Sequence, residues 1–307
     1  MIELNAYGKW LSSLTGYKTQ KISINAGFTC PNRDGTLGTT GCTYCNNQTF
    51  NPAYCQPAKT ITRQLQEGKE FFGRKYPQMH YLAYFQAYTN TYAPLPELRA
   101  KYLEALSVPL VDGIVLGTRP DCVSDEVLDL LAELNLRHTV IVEYGIESVY
   151  DATLQRIRRG HTHQQTVDAI RRTAQRGIPV GAHIILGLPG ESRDMLLHEA
   201  DILSSLPITT LKIHQLQLIR GTIMAAEYAE HPSDFHLFTV DEYIQLLCDF
   251  LPRLRPDIIL ERLVSQSPTS LLATPGWGLK NHEFTARLEK KLNSLGAQIC
   301  RHNDITT

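Results

Sequence analysis

The sequence predicts an α/β fold in which parallel strands and helices build a partial (β/α)6-type, TIM-like barrel with a short C-terminal extension. Apolar, strand-like runs alternate with segments of helical periodicity at least six times along the chain. The glycine patterns of doubly wound nucleotide-binding folds, G-x-G-x-x-G and G-x-x-x-x-G-K-[ST], do not occur. Polar side chains follow the strand ends repeatedly, which is where barrels carry their functional groups.

Two ways of closing the sheet are compatible with this pattern: an open doubly wound sheet and a full or partial barrel. In both, strands flanked by helices pair in parallel and both faces of the sheet are covered. The missing glycine patterns favour the barrel, and so does the position of several polar residues just after strand ends, namely Cys30, Gln86, Arg119, Glu147 and Gln217.

Seven segments are predicted as strands because each is a short apolar or alternating run rich in Val, Ile, Tyr and Phe. The first leads directly into a loop that contains cysteines, and the fifth, VGAHIILGL, is continuously apolar. In chain order the predicted strands are residues 21–28, 80–88, 111–118, 139–148, 180–188, 209–219 and 257–264.

Helices are predicted between the strands from apolar spacings of three and four residues and from start signals. Pro96 lies in the first turn of one helix, and Ser124 precedes another that has two acidic residues in its first turn. The predicted helices are residues 60–76, 96–106, 124–134, a helix that starts at 150, and then 163–175, 193–205, 240–251 and 283–295.

The chain is expected to divide into three parts: an N-terminal segment (1–18), a barrel core (19–264) and a C-terminal extension (265–307) that caps the barrel. With 307 residues, of which 43% are hydrophobic, the chain is long enough to bury a large core.

The charge balance excludes a general attraction to nucleic acid or anionic lipid, because the formal net charge is −1. A local basic group such as RIRRG at 156–160 keeps nucleic-acid binding possible, although the net charge does not support it. No run approaches the roughly 18 apolar residues of a membrane span. The first residues also lack an apolar signal core, so we expect a cytoplasmic protein without membrane contact.

Three of the seven cysteines, Cys30, Cys42 and Cys45, share one loop with the spacing C-x11-C-x2-C. In a reducing compartment, clustered thiols more often bind metal than form disulfides. Structural zinc usually takes four ligands in two close pairs, and this loop has one close pair. An iron–sulfur cluster also offers four positions, but three thiolates can hold it with one iron open. The spacing alone leaves zinc and iron–sulfur open.

The surroundings of this loop make the chain resemble the radical S-adenosylmethionine (radical SAM) superfamily. The resemblance is closest to its YhcC-like branch, whose relatives include the Elongator catalytic subunit and the oxygen-independent coproporphyrinogen oxidase. Seven pieces in order over residues 21–222 carry the resemblance: GFTCPNRDGTLGTTGCTYC, YLAYFQAYTNTY, LGTRPDCV, VEYGIES, LQRIRRGH, HIILGLPGE and LKIHQLQLIRGT. The usual superfamily loop is C-x3-C-x2-C; this loop is eight residues longer, as it is in YhcC-like and Elongator-type members.

The resemblance implies that Cys30, Cys42 and Cys45 hold a [4Fe–4S] cluster whose open iron chelates the amino and carboxylate groups of S-adenosylmethionine. It also implies that Tyr44 packs beside the adenine. Gln86 stands where many members carry a Gly-Gly-Glu that contacts the methionine amino group, so here the Gln86 amide or backbone carbonyls take that contact.

The remaining cofactor contacts that the resemblance implies come from the second half of the barrel. Glu147 and Arg159 fall where relatives bind the ribose hydroxyls and the methionine carboxylate. His183 falls on a strand position that faces the ribose in some relatives. Gly187 and Gly190 let backbone approach the cofactor closely, since glycine has no Cβ.

The activity that the resemblance implies is reductive cleavage of S-adenosylmethionine to a 5′-deoxyadenosyl radical, supplied with electrons by a donor such as flavodoxin or ferredoxin. The substrate stays open between RNA and a small metabolite. The alternative function is a zinc-stabilised, barrel-type binding module without radical chemistry.

Several site residues also have structural interpretations. Glu147 can cap the helix that follows, and Arg159 can be an exposed charge at a helix end. His183 and His214 can be core histidines in apolar strands. Cys122 is either a radical or proton relay or a small buried residue.

Overall fold

The structure is a computed structural model that describes residue 4 and residues 6–49, 51–74 and 78–296. Within these ranges, seven strands form one parallel sheet in which each strand pairs with the next along the chain. The sheet curls into an open half-barrel, so the predicted α/β class and partial barrel are confirmed. The strands are β1 (Thr19–Ile24), β2 (His80–Phe85), β3 (Val111–Thr118), β4 (Thr139–Glu147), β5 (Val180–Leu186), β6 (Thr210–Gln215) and β7 (Ile259–Arg262).

The strands lie where the sequence predicts them, but most end earlier than predicted. The first predicted strand runs to residue 28, whereas β1 ends at Ile24. The ladder stops there because the next backbone N–H, that of Asn25, donates to the side-chain Oε1 of Gln64 at 2.8 Å. The four residues that follow β1 therefore leave the sheet and lead into the cysteine loop.

Ten helices are described, most of them on the outer face of the sheet. Ser124 caps its helix as predicted, since its Oγ accepts the backbone N–H of Val127 at 3.3 Å. The last residues of the predicted helix 60–76 lie partly outside the described residues. The helices are α1 (Tyr7–Thr15), α2 (Ile61–Gly73), α3 (Leu95–Leu106), α4 (Asp125–Asn135), α5 (Asp151–Arg156), α6 (His163–Gln175), α7 (Arg193–Ser204), α8 (Ile223–Glu230), α9 (Val240–Phe250) and α10 (Asn281–Ser294).

Two helices were not predicted, α1 and α8, and α1 closes one end of the half-barrel. It contacts the two edge strands, β1 and β7, which do not pair with each other. Trp10 and Leu11 of α1 join a small apolar cluster inside the barrel, separate from the main core between sheet and helices. The strand members of this apolar floor are Leu82, Tyr84, Val115, Ile141 and Ile259.

The segment after β7 returns to the end of β6 before it packs outside the barrel. The backbone N–H of Ala273 donates to the carbonyl of Leu218 at 2.8 Å. Trp277 then stacks on Phe284 of α10, with ring centroids 5.8 Å apart. The division of the chain at residues 18 and 264 stays a prediction, and 297–307 of the predicted extension lie outside the described residues.

Among the helices that the structure describes, none combines the length and the apolar character that a bilayer crossing requires.

The apolar floor gives the first testable prediction. Leu11 is 2% exposed and Leu14, on the same helix, is 39% exposed. We expect Leu11→Ala to lower the free energy of unfolding by about 3 kcal/mol, because it leaves a cavity under the barrel. Leu14→Ala is the matched control, with an expected change below about 1 kcal/mol. Urea unfolding measures both, and equal losses in the two variants would contradict the placement of α1.

Candidate functional site

A cavity of about 660 Å³ lies inside the half-barrel, and all seven strands contribute residues to its wall. Eight of the ten predicted site residues line it, which brings together side chains from positions 30 to 183 of the chain. These eight are Cys30, Cys42, Tyr44, Cys45, Gln86, Glu147, Arg159 and His183. Their roles as ligands stay predictions. Their position on the wall of one cavity agrees with the prediction that they form one site.

The cysteine loop is fixed by backbone hydrogen bonds to distant parts of the chain. The N–H of Thr43 donates to the carbonyl of Ile157 at 3.0 Å, and the carbonyl of Thr43 accepts from the N–H of Met224 at 2.9 Å. Cys42 is buried, whereas Cys30 and Cys45 are half-buried, and all three are free thiols. The loop therefore presents its sulfurs from a defined backbone.

The residues present fit an iron–sulfur cluster better than a single zinc ion. Two sulfurs on one zinc lie about 2.3 Å from it, so they approach each other within about 4.6 Å. Among the described residues, no three His, Cys, Asp or Glu side chains are grouped closely enough to hold one metal ion. Cys30, Cys42 and Cys45 line one cavity, and three thiolates can hold a cluster with one iron open. Two buried donors beside them, Nη1 of Arg119 and Nε of Arg159, have no partner within the described ranges, which fits an absent acceptor.

Arg159 is a buried wall residue, so its interpretation as an exposed helix-end charge is wrong. It is 7% exposed, and its Nη2 donates to the carbonyl of Gly145 at 2.6 Å. The same Nη2 lies 3.5 Å from Oε1 of Glu147. A Cβ on Gly145 would lie 2.6 Å from both groups, so this glycine makes room for the pair.

Glu147 also does not cap the helix that follows. The N-terminal cap position of α5 is Tyr150, and no side chain caps it. Glu147 has a φ of 68°, a left-handed conformation that a side chain of this size rarely adopts. Glu147 lines the cavity beside Arg159, and its predicted contact with a ribose stays a prediction.

Tyr44 and Gln86 occupy the wall near the cysteines. Tyr44 packs beside an apolar cluster that includes Leu154 and Leu216, and burial raises the pKa of its phenol well above the usual value. Gln86 is held by Ser23, whose Oγ donates to the Gln86 Oε1 at 2.9 Å. The adenine and methionine contacts predicted for these two residues stay predictions.

Four charged side chains, Lys21, Glu143, Lys212 and Glu261, form a layer in the same cavity, which we call the ionic layer. Glu143 is 1% exposed and accepts from Lys21 at 2.5 Å and from Lys212 at 2.7 Å. Glu261 lies 2.9 Å from Lys21 and 3.1 Å from Lys212. Burial acts to raise the pKa of Glu143, but the two lysine charges outweigh it and hold the pKa well below the usual value.

The ionic layer was not predicted from the sequence, although the sequence contains a signal for it. Glu143 lies between Val142 and Tyr144 in TVIVEYGIE, and Lys212 lies between Leu211 and Ile213 in TLKIHQ, so each charge is flanked by buried apolar residues. A charge at an inward position of a buried strand needs a partner across the barrel. What the pattern does not reveal is which distant residue supplies that partner.

Glu143 also orients His183. Their contact, from Nε2 to a carboxylate oxygen, is 2.9 Å. An ionised carboxylate only accepts hydrogen bonds, so Nε2 carries the proton. Burial and the charge of Lys212 lower the pKa of His183, which leaves a neutral ring with Nδ1 as an acceptor. The ring of His214 lies beside that of His183, with 5.9 Å between the ring centroids. Both imidazoles line the cavity, so they are not histidines of a closed core.

Gly187 and Gly190 do not line the cavity, so the structure gives no support to a close approach of their backbone to a cofactor. Both have a positive φ, 92° and 94°, which glycine adopts readily. This backbone conformation accounts for glycine at the two positions without any contact to a ligand. A Cβ on Gly187 would lie 2.8 Å from the ring of Phe238. Cys122 also lies outside this cavity, in a separate surface recess, where burial raises its pKa to about 12.

A pair of buried carboxyl groups supports the turn that follows Glu147. Glu191 accepts from the hydroxyl of Ser148 at 2.5 Å. Glu199 on α7 is fully buried, and neither of its carboxylate oxygens has a partner in the described part of the chain. Burial raises the pKa of Glu191 to about 7 and that of Glu199 well above its usual value.

Known proteins are similar to this chain over most of its length. The family model described as the Radical SAM superfamily matches residues 27–203, and the Radical_SAM C-terminal domain matches residues 208–294. YtqA of Bacillus subtilis (strain 168) is 36% identical over 282 residues, which cover 92% of this chain and 87% of YtqA. YhcC of Escherichia coli (strain K12) is 34% identical over 299 residues, 96% of this chain and 94% of YhcC.

The fold is also similar to a solved structure, that of Elp3 from Methanocaldococcus infernus with residues 1–46 deleted. The TM-score is 0.69 at 15% sequence identity, over 92% of this chain. The chain spans 64% of that Elp3 chain, and at this identity the likeness concerns the fold alone.

The ionic layer predicts a large stability effect at Glu143. We expect Glu143→Ala to lower the free energy of unfolding by roughly 3–5 kcal/mol, because two buried lysines then share one remaining carboxylate. Glu133→Ala, which breaks the exposed pair with Arg99, is the control and should have a small effect. Urea unfolding of both variants at neutral pH provides the measurement. Similar losses at the two positions would show that the layer does not hold the barrel.

The raised pKa of Glu191 predicts a pH dependence of stability. The folded state retains this proton up to about pH 7, whereas the unfolded chain releases it near the ordinary glutamate value of about 4.3. The free energy of unfolding should therefore fall as the pH rises between these values. Glu191→Gln should flatten that fall, whereas Gln at the exposed Glu230 should not. Chemical unfolding from pH 4 to 8 tests this, and parallel profiles for Glu191→Gln and the unmodified protein would refute it.

Proposed function

Since the chain belongs to the radical SAM superfamily and, within it, to the family of YhcC and YtqA, we propose that it is an enzyme that cleaves S-adenosylmethionine reductively. Cys30, Cys42 and Cys45 hold the [4Fe–4S] cluster in this proposal. The observation that carries it is that these three thiols line the same cavity as five of the seven other predicted cofactor contacts.

When bound, the reduced cluster and S-adenosylmethionine supply one-electron cleavage of a carbon–sulfur bond, which gives methionine and a 5′-deoxyadenosyl radical that takes a hydrogen atom from the substrate. A one-electron donor such as flavodoxin or ferredoxin is needed for each reduction. We keep the cytoplasmic location as part of the proposal, because reducing surroundings keep three neighbouring thiols free.

The protein's own residues bind and orient the nucleotide. Arg119 and Arg159 each have one unpartnered nitrogen donor, and such donors suit a carboxylate because hydrogen bonds between ionised groups are strong. The Glu147 carboxylate suits the hydroxyls of a ribose. Tyr44, neutral because its pKa is raised by burial, offers an aromatic face to a base.

The substrate occupies the rest of the cavity in this proposal, between the nucleotide and the ionic layer. That part of the wall carries His183 and His214 with their neutral rings, so it offers hydrogen bonds rather than one net charge. The floor formed by α1 closes the barrel end and keeps bulk water from the site. The choice between RNA and a small metabolite stays open.

The test is anaerobic reconstitution with iron and sulfide. We expect about four irons per chain and release of 5′-deoxyadenosine that depends on dithionite. Cys42→Ala should lose both, because it removes a cluster ligand. Cys248→Ala, at a buried cysteine of α9 far from the loop in sequence, is the matched control and should retain both.

Two results would overturn the proposal. One is a protein with a full iron complement that cleaves no S-adenosylmethionine. The other is aerobically purified protein that contains one zinc per chain and loses its fold with that zinc in Cys42→Ala, which would support the binding-module alternative instead.

A further inference from the structure

Asn32 lies in the long segment between Cys30 and Cys42 and reaches the sulfur of Cys42. Its side chain is buried, with the residue 5% exposed, and its Nδ2 lies 3.3 Å from the Cys42 Sγ. The same nitrogen lies 2.9 Å from the carbonyl oxygens of Arg158 and Arg159. All three neighbours are acceptors, so the amide nitrogen, not the oxygen, must face the sulfur.

The orientation of Asn32 is fixed from several directions. The extended loop folds back on it, since the N–H of Gly41 donates to the Asn32 carbonyl at 2.8 Å. Gly160 leaves room for the amide, because a Cβ there would lie 2.7 Å from Asn32 Oδ1. The amide therefore links the cysteine loop to the turn that carries Arg159.

Cys42 has a second nitrogen donor near its sulfur. Nη1 of Arg159 lies 3.7 Å from the Cys42 Sγ, a distance typical of a weak hydrogen bond to sulfur. The amide of Asn32 both donates to this sulfur and holds the backbone of Arg159. Both donors lie in buried surroundings, where hydrogen bonds to a charged group are stronger than at the surface.

We propose that Asn32 is a positioning residue that raises the reduction potential of the cluster through its N–H···S contact with Cys42. The inference rests on the proposed function, in which Cys42 is a cluster ligand. Reduction adds one negative charge to the cluster and its thiolates. An N–H donor on a ligand sulfur stabilises that added charge, so the reduced state forms more readily.

The experiment is a potentiometric titration of the reconstituted protein, followed by electron paramagnetic resonance of the reduced cluster. Asn32→Leu removes the donor at similar volume, and Asn32→Val removes it with a smaller side chain; neither adds a charge. Asp34→Asn is the control: it changes an exposed side chain of the same loop that accepts a hydrogen bond from the backbone of Thr36.

We expect both Asn32 variants to shift the midpoint potential to more negative values, and Asp34→Asn to leave it unchanged. At a fixed solution potential the ratio of reduced to oxidised cluster should fall about threefold to tenfold, the usual weight of one hydrogen bond. A tenfold change equals about 59 mV for a one-electron couple. The iron–thiolate stretching frequencies in resonance Raman spectra should also rise in both variants, as the sulfur loses its donor.

The outcomes separate this inference from the proposed function. Failure of the unmodified protein to take up iron would sink the proposed function. A full iron complement with the same potential in the Asn32 variants and the unmodified protein would overturn only the role of Asn32. If Asn32→Leu fails to hold iron, Asn32→Val decides in the same way. Loss of the cluster in both variants would show a purely structural residue and would also overturn the inference.

Discussion

The buried carboxylate of Glu143 is the contact on which the interior of this barrel depends. The sheet is open, because β1 and β7 do not pair, and yet its inner face must enclose a cavity. Glu143 on β4 accepts from Lys21 on β1 and from Lys212 on β6, and Lys21 also meets Glu261 on β7. Ion pairs across the interior thus replace the hydrogen-bond ladder that a closed barrel would have. The same carboxylate fixes the tautomer of His183. Glu143 therefore both connects the strands and orients a side chain of the candidate site.

The interior is ordered in levels from the floor upward. Apolar side chains of α1 and the early strand positions form the floor, the ionic layer follows, and the two imidazoles stand above it. The cysteines, Glu147 and Arg159 form the upper wall. This order separates the groups that stabilise the fold from those predicted to bind the nucleotide. The two regions are connected through β4, which carries Glu143, Gly145 and Glu147 on its inner face.

The fold and much of the site could be predicted because their signals are local. Strand and helix periodicity located all seven strands, and a run of short motifs located the eight residues that share the cavity. Contacts between distant residues could not be predicted: Lys21 is 122 positions from Glu143 and 240 from Glu261. The helix α1 was not predicted because a few apolar residues in a short segment do not by themselves indicate a helix. They have a surface to pack against only once the end of the barrel has formed. Asn32 was missed since an asparagine in a Gly- and Thr-rich loop usually serves a turn.

The backbone bond between Thr43 and Met224 has a consequence for the order of events in the cell. The ribosome makes the cysteines early, but Met224, which holds their loop, is made about three-quarters of the way along the chain. Ile157, the other partner, is made near the midpoint of the chain. The backbone of Thr43 therefore gains its second anchor only after the strands β1 to β6 have been made. A chain that stops before the eighth helix lacks the backbone donor of Met224, so the loop that carries the three thiols is held by one distant anchor instead of two.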